Sequence, residues 1–168
     1  NNIGAVQGRA GKWDESEELL GEALAIYEEL RDKEGAARVL CNMGAVEGLR
    51  GNLEKAGDFL NRSLKAENGD NIWVASSLNN LGVVSYSHGD SSKAMKHFEK
   101  SWGLTRKSAL PDGPREELLE AILENLAKVR LAPRTPVRSV RLWAPTHDIE
   151  VSSTAPISVT IGPGETAF

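Results

Sequence analysis

The sequence predicts an all-α chain, an α-α superhelix of antiparallel helix pairs, ending in a short extended or β-like C-terminal tail. Three observations carry this. Asn2-Ile3-Gly4, Asn42-Met43-Gly44 and Asn80-Leu81-Gly82 recur at intervals of 40 and 38 residues, with a weaker fourth copy at Asn125-Leu126-Ala127. A glycine stands seven residues after each of the first three triplets, at Gly11, Gly51 and Gly89. Leu40, Met43 and Val46, like Leu78, Leu81 and Val84, recur at three-residue steps and share one helical face. Self-similarity at this period marks a stacked array, because a lone helix pair cannot bury both of its faces.

The elements follow in order. The expected helices are 1–10, 13–31, 35–50, 53–67, 72–88, 91–107 and 114–131. Gly44 and Gly82 read as notches that let the second helix of each pair approach. The small residues Ala23, Ser63 and Ser101 are expected to face those notches, and the larger side chains nearby to fill the seam. Gly11, Gly51 and Gly89 fall where a first helix must stop, and glycine reaches the left-handed conformation a helix C-cap favours. The next helix then opens near Asp14, Glu54 or Ser91, residue types suited to a helix N-terminus. Pro114 suits the first turn of the last helix, where its missing N–H costs nothing.

Composition narrows the function classes. The 168 residues are 40% hydrophobic and only 5% aromatic, enough for a continuous helical core. A net charge of -4 with both signs interspersed argues against nucleic acid, whose binders rest on a basic face. The lone Cys41 permits no intrachain disulfide, and a cytoplasmic, reducing setting is the simplest expectation. No apolar run is long enough for a membrane span. The missing initiator Met reads as a segment of a longer chain.

The triplets, the glycines seven residues on, the small residues Ser16, Ala56 and Ala94, and the bulky Leu20, Leu60 and Phe98 four beyond them resemble the tetratricopeptide repeat family. The resemblance covers about residues 1–131. The family's first-helix tyrosine is replaced by Gln7, Glu47 and Ser85, and its closing proline is absent. The period exceeds the family's usual length of about 34 residues, as in the longer subclass seen in kinesin light chains and bacterial signalling regulators.

The resemblance implies a protein or peptide partner held on the concave face lined by the first helix of each pair. Asn42, Ala45, Gly48 and Leu49 are expected there, then Asn80, Val83, Tyr86 and Ser87. The peptide-binding candidates are Asn2, Arg9, Arg38, Asn42, Asn80, Tyr86 and Asn125. Equivalent asparagines would form a ladder of amides, and an amide both donates and accepts, so it can pair with a peptide backbone. The alternative is that each amide bonds a neighbouring helix and sets the spacing of the repeats. Trp73 is either a second aromatic anchor or a packing residue; Trp13, Trp102 and Tyr27 read as packing. A clamp for a partner's C-terminal carboxylate would need basic residues beside the asparagines, where Asn1, Cys41, Asn79 and Glu124 stand instead.

No catalytic, metal or cofactor constellation is expected. His88, His97 and His147 are scattered, and the acidic pairs lie on helix faces that read as solvated. The leading function is a protein-interaction scaffold. The alternative is a sensory or regulatory segment of a larger signalling or transcription-regulating protein. Self-association through an exposed terminal repeat is a further option.

Composition changes after Leu131, where five of the seven prolines fall. Residues 132–168 are expected as a Pro-rich tail or an incomplete next domain. Ile157, Val159 and Ile161 alternate with polar residues as a half-exposed strand does. Glu165-Thr166-Ala167-Phe168 loosely fits a PDZ-domain ligand.

Overall fold

The computed structural model describes residues 2–67, 69, 71–107, 112–131, 140–141 and 158–159. Among these residues seven helices follow one another: α1 (Asn2–Arg9), α2 (Trp13–Glu29), α3 (Lys33–Arg50), α4 (Leu53–Ala66), α5 (Ile72–Ser87), α6 (Ser91–Lys107) and α7 (Asp112–Leu131). The boundaries agree with the expected ones to within about two residues. The differences have local causes. α3 opens at Lys33 because the Asp32 side chain accepts from the Gly35 N–H at 2.9 Å, capping the helix two residues earlier than expected. The last helix likewise opens at Asp112, so Pro114 lies within its first turn.

Two strands of two residues, β1 (Val140–Arg141) and β2 (Ser158–Val159), pair antiparallel, Val140 opposite Val159. β1 packs against α7 and α5. The remaining tail expectations, including the C-terminal tetrapeptide, lie outside the described residues, as does most of the connector before α7.

The helix pairs repeat one arrangement. Each first helix ends on a glycine in the left-handed region: Gly11 at φ 77°, Gly51 at 89° and Gly89 at 81°. At Gly51 the cap is complete, its N–H donating to Gly48 O at 3.2 Å and the next N–H, from Asn52, to Glu47 O at 2.9 Å. A side chain at that backbone angle would be strained. The turn after α2 makes the same two bonds, Arg31 N–H to Glu28 O and Asp32 N–H to Tyr27 O, but with an arginine at φ 55° in glycine's place.

The notches exist, but the small residues do not fill them. A Cβ built at Gly4 would stand 2.8 Å from Leu20 Cγ, and one at Gly44 2.6 Å from Leu60 Cγ; at Gly82 it would meet the Phe98 ring. The large residue of the second helix is therefore the one seated on the glycine. The small residue does different work. Ser63 Oγ donates to Ala37 O at 2.8 Å and Ser101 Oγ to Ala75 O at 2.6 Å, the same buried bond repeated 38 residues on. These hydroxyls tie the outer helix of each pair to the inner helix's first turns.

The direction of curvature follows from what touches what. α1, α3, α5 and α7 lie side by side, each packing on the next, and α1, α3 and α5 each also pack on the outer helix that follows. The outer helices α2, α4 and α6 do not pack closely on one another. The stack therefore bends with its odd-numbered helices inside. Leu20, Val39, Leu60, Val83, Phe98, Leu118 and Ile122 are fully buried along the seam.

Candidate functional site

The inner helices place the expected site residues at very different depths. Asn42, Asn80 and Asn125 are 1%, 0% and 0% exposed. Asn125 Nδ2 donates to Asn79 Oδ1 at 3.0 Å, and Asn79 Nδ2 to Asn80 Oδ1 at 3.2 Å. The Asn125–Asn79 bond crosses from α7 to α5, and the Asn79–Asn80 bond lies within α5. Buried polar groups are nearly always paired, and an amide that satisfies its neighbour leaves little to offer a ligand. Ala45, Gly48 and Val83, expected on an open face, are buried as well. α3 and α5 are covered almost all round, because each lies between two inner neighbours and against outer helices, with β1 also leaning on α5. The Asn2 side chain lies outside what is described.

The reachable candidates are Arg9, Arg38 and Tyr86, all half-buried. Arg38 is the best defined. Its Nη2 donates to the Tyr27 hydroxyl at 2.6 Å, and its guanidinium carbon lies 5.5 Å from the Tyr27 ring centre and 5.8 Å from that of Trp73. One cation thereby joins α2, α3 and the start of α5. Tyr27 is fixed in turn by Gly35, where any Cβ would meet its ring. Trp73 packs on the cluster around Phe98 and Leu118, as does Tyr86. Burial pulls the Arg9 guanidinium below its ordinary pKa, opposed by the Glu117 carboxylate of α7.

Sequence reasoning missed a polar network at the ends of α2, α3 and α4. Glu47, standing where the family's tyrosine would be, is 4% exposed. Lys55 Nζ reaches Glu47 Oε1 at 2.9 Å and Glu17 Oε1 at 2.7 Å, while Asn52 Nδ2 donates to Glu47 Oε2 at 2.7 Å. Arg50 adds Glu17 at 3.7 Å and Asp14 at 3.5 Å. The signal was the substitution itself: a carboxylate at an interior repeat position requires partners.

Cys41 is wholly buried, and burial pushes its thiol up to about 12, with the hydrogen bond to Ser77 opposing. Nucleophilic chemistry needs the thiolate, which this setting suppresses. Among the described residues no group of three His, Cys, Asp or Glu is placed to hold a metal ion, and no helix is long and apolar enough to cross a membrane.

No curated protein matches the chain. Family models do match, one over residues 1–67 and another over residues 74–115, both described as tetratricopeptide repeat and both of the kinesin-light-chain-like type. With the paired helices, the notch glycines and the repeated serine bonds already in place, the chain belongs to the tetratricopeptide repeat family.

Proposed function

We propose that the chain is an interaction scaffold that holds a peptide or partner segment on the inner side formed by α1, α3, α5 and α7, with Arg38 and Tyr86 as anchors and Arg9 at the edge. Tetratricopeptide repeats generally mediate contacts between proteins, which supports the broader part of the reading. The observation that carries the finer part is the fixed, half-exposed Arg38, braced by Tyr27 and Trp73. Arginine and aromatic residues dominate binding hot spots, and a side chain already held in place loses less entropy on binding. In this reading Asn42, Asn80 and Asn125 set the spacing of the inner helices, and the anchors lie around them.

Peptides selected on the chain from a random displayed library supply the ligand. Arg38→Ala combined with Tyr86→Ala weakens their binding at least tenfold in calorimetry, while far-UV circular dichroism stays unchanged. Unaltered affinity in the folded double variant refutes the proposal.

A further inference from the structure

β1 packs on α7 and also on the preceding inner helix, α5, and this pair of neighbours fixes which side of the stack it occupies. An outer helix packs on the inner helix of its own pair and on the next inner helix: α4 on α3 and α5, α6 on α5 and α7. It does not reach back; α4 does not pack closely on α1, nor α6 on α3. A segment standing among the outer helices beyond α7 would therefore miss α5. β1 meets both, so it lies on the inner side. The burial of α5 agrees. Every residue from Val74 to Ser85 is buried, and at about 3.6 residues per turn such a run leaves no side of the helix open. α3 and α7 flank α5, α4 and α6 back it, and β1 is the described element on the side that remains.

An isolated pair of strands is marginal in water, so β1 and β2, of two residues each, depend on the helices beneath them. Charge favours the same placement. Between Leu131 and Trp143 the sequence carries Arg134, Arg138 and Arg141 and no acidic residue. α7 carries Glu117 and Glu124, both half-buried and seven residues apart on one helical face. Glu117 lies close enough to Arg9 of α1 to act on its charge, which turns that face toward the other inner helices. We infer, on the proposed reading of the inner side as the recognition face, that the strand pair is a ligand the chain carries for its own groove: β1 occupies the α5–α7 end, and a basic extended segment of a partner binds there by displacing it. The intramolecular segment competes at high effective concentration. A partner's apparent affinity falls by the fraction of chains in which β1 is in place.

The test uses the full chain. A nitroxide on Ser139→Cys, beside β1 and in a Cys41→Ala background, broadens amide signals of α5 and α7 in nuclear magnetic resonance and leaves α2 and α4 sharp. Val140→Asp combined with Val159→Asp releases the strands: the broadening disappears while far-UV circular dichroism is unchanged. A fluorescent peptide of residues 132–143 then binds the released variant at least fivefold more tightly than the parent, by anisotropy. The same peptide with its three arginines replaced by glutamate binds neither chain. Absence of broadening on α5 and α7 overturns the inference. So does equal binding of the arginine peptide to parent and released variant, or no binding to the released variant. Broadening in a mixture of spin-labelled and isotope-enriched chains also overturns it, because the occupant would then come from a second copy. The proposed anchors are judged separately. If Arg38→Ala/Tyr86→Ala binds library peptides as the parent does while broadening and peptide competition hold, the anchors fail and the internal ligand stands.

Discussion

Replacing glycines by alanine should split them into two groups of opposite sign. In a helix interior alanine is favoured over glycine by about 1 kcal/mol, so an unobstructed substitution stabilises. Gly21 in α2 and Gly103 in α6 have nothing within 4 Å of an added Cβ, and each gains roughly 0.5–1 kcal/mol. At Gly44 the added Cβ stands 2.6 Å from Leu60 Cγ, 2.8 Å from Leu60 Cδ2 and 3.2 Å from the backbone oxygen of Ala56. Leu60 and Ala56 are both 0% exposed, so neither has free space to retreat into. Overpacking of this kind costs about 1–3 kcal/mol, and the third contact is backbone that moves only with α4 itself. The net result for Gly44→Ala is a loss of about 1–2 kcal/mol, and Gly82→Ala, which meets a rigid aromatic ring, loses at least as much. Urea unfolding followed by far-UV circular dichroism and by tryptophan fluorescence measures this; both probes are needed because repeat arrays can unfold in parts. In a Leu60→Ala background, itself less stable, Gly44→Ala costs less than it does in the parent, since the truncated side chain vacates the contact and the two sites couple. A Gly44→Ala chain as stable as the parent would refute the notch.

Three further outcomes are expected. Asn125→Ala removes the donor that satisfies Asn79 Oδ1 in a fully buried position and lowers stability by about 1–3 kcal/mol in the same urea assay; an unchanged midpoint would mean the amide pairing is not what spaces α5 and α7. Native Cys41 resists an aromatic disulfide reagent at pH 8 and reacts at once in urea, because its thiol is buried and pushed up to about 12; fast stoichiometric labelling of the folded chain would contradict this. Lys55→Met costs about 1–2 kcal/mol at neutral pH, chiefly by leaving the buried Glu47 carboxylate short of a partner, since the half-exposed pairing with Glu17 is screened. The hydrogen bond from Lys55 holds Glu17 below its ordinary value of 4.5, and the bond to Glu17 holds Lys55 above its ordinary 10.5. The Glu17 contribution is therefore present above pH 4.5 and lost as pH falls through the folded value. That of Lys55 is present below pH 10.5 and lost as pH rises through its folded value. Lys55→Met flattens both limbs of the stability profile, and limbs as steep as the parent's would exclude this pair as their source.

What the sequence made legible was whatever depends on spacing along the chain. The Asn-x-Gly triplets, the cap glycines and the three-residue apolar steps fix the helices and their pairing because local geometry alone demands them. Depth was not legible. The periodicity that puts Asn42 and Asn80 on an inward face says nothing of how closely the next inner helix approaches that face, and the approach decides whether an amide meets water or another amide. A clue lay in the doublet Asn79-Asn80, which supplies a second amide beside the first and so an acceptor for Asn125. Ser63 and Ser101 were legible as small residues, but their bonds to Ala37 and Ala75 depend on the tilt between paired helices.

Arg31 completes the same lesson from the opposite direction. Its turn makes the bonds of a glycine cap without a glycine, so no sequence pattern marks it, and the strained backbone is visible only in its φ of 55°. An arginine there carries about 1–2 kcal/mol of local strain, where glycine would serve the turn better. Substitution of Arg31 by glycine should therefore raise stability by about 1 kcal/mol in the same urea assay, and an unchanged midpoint would contradict the strain.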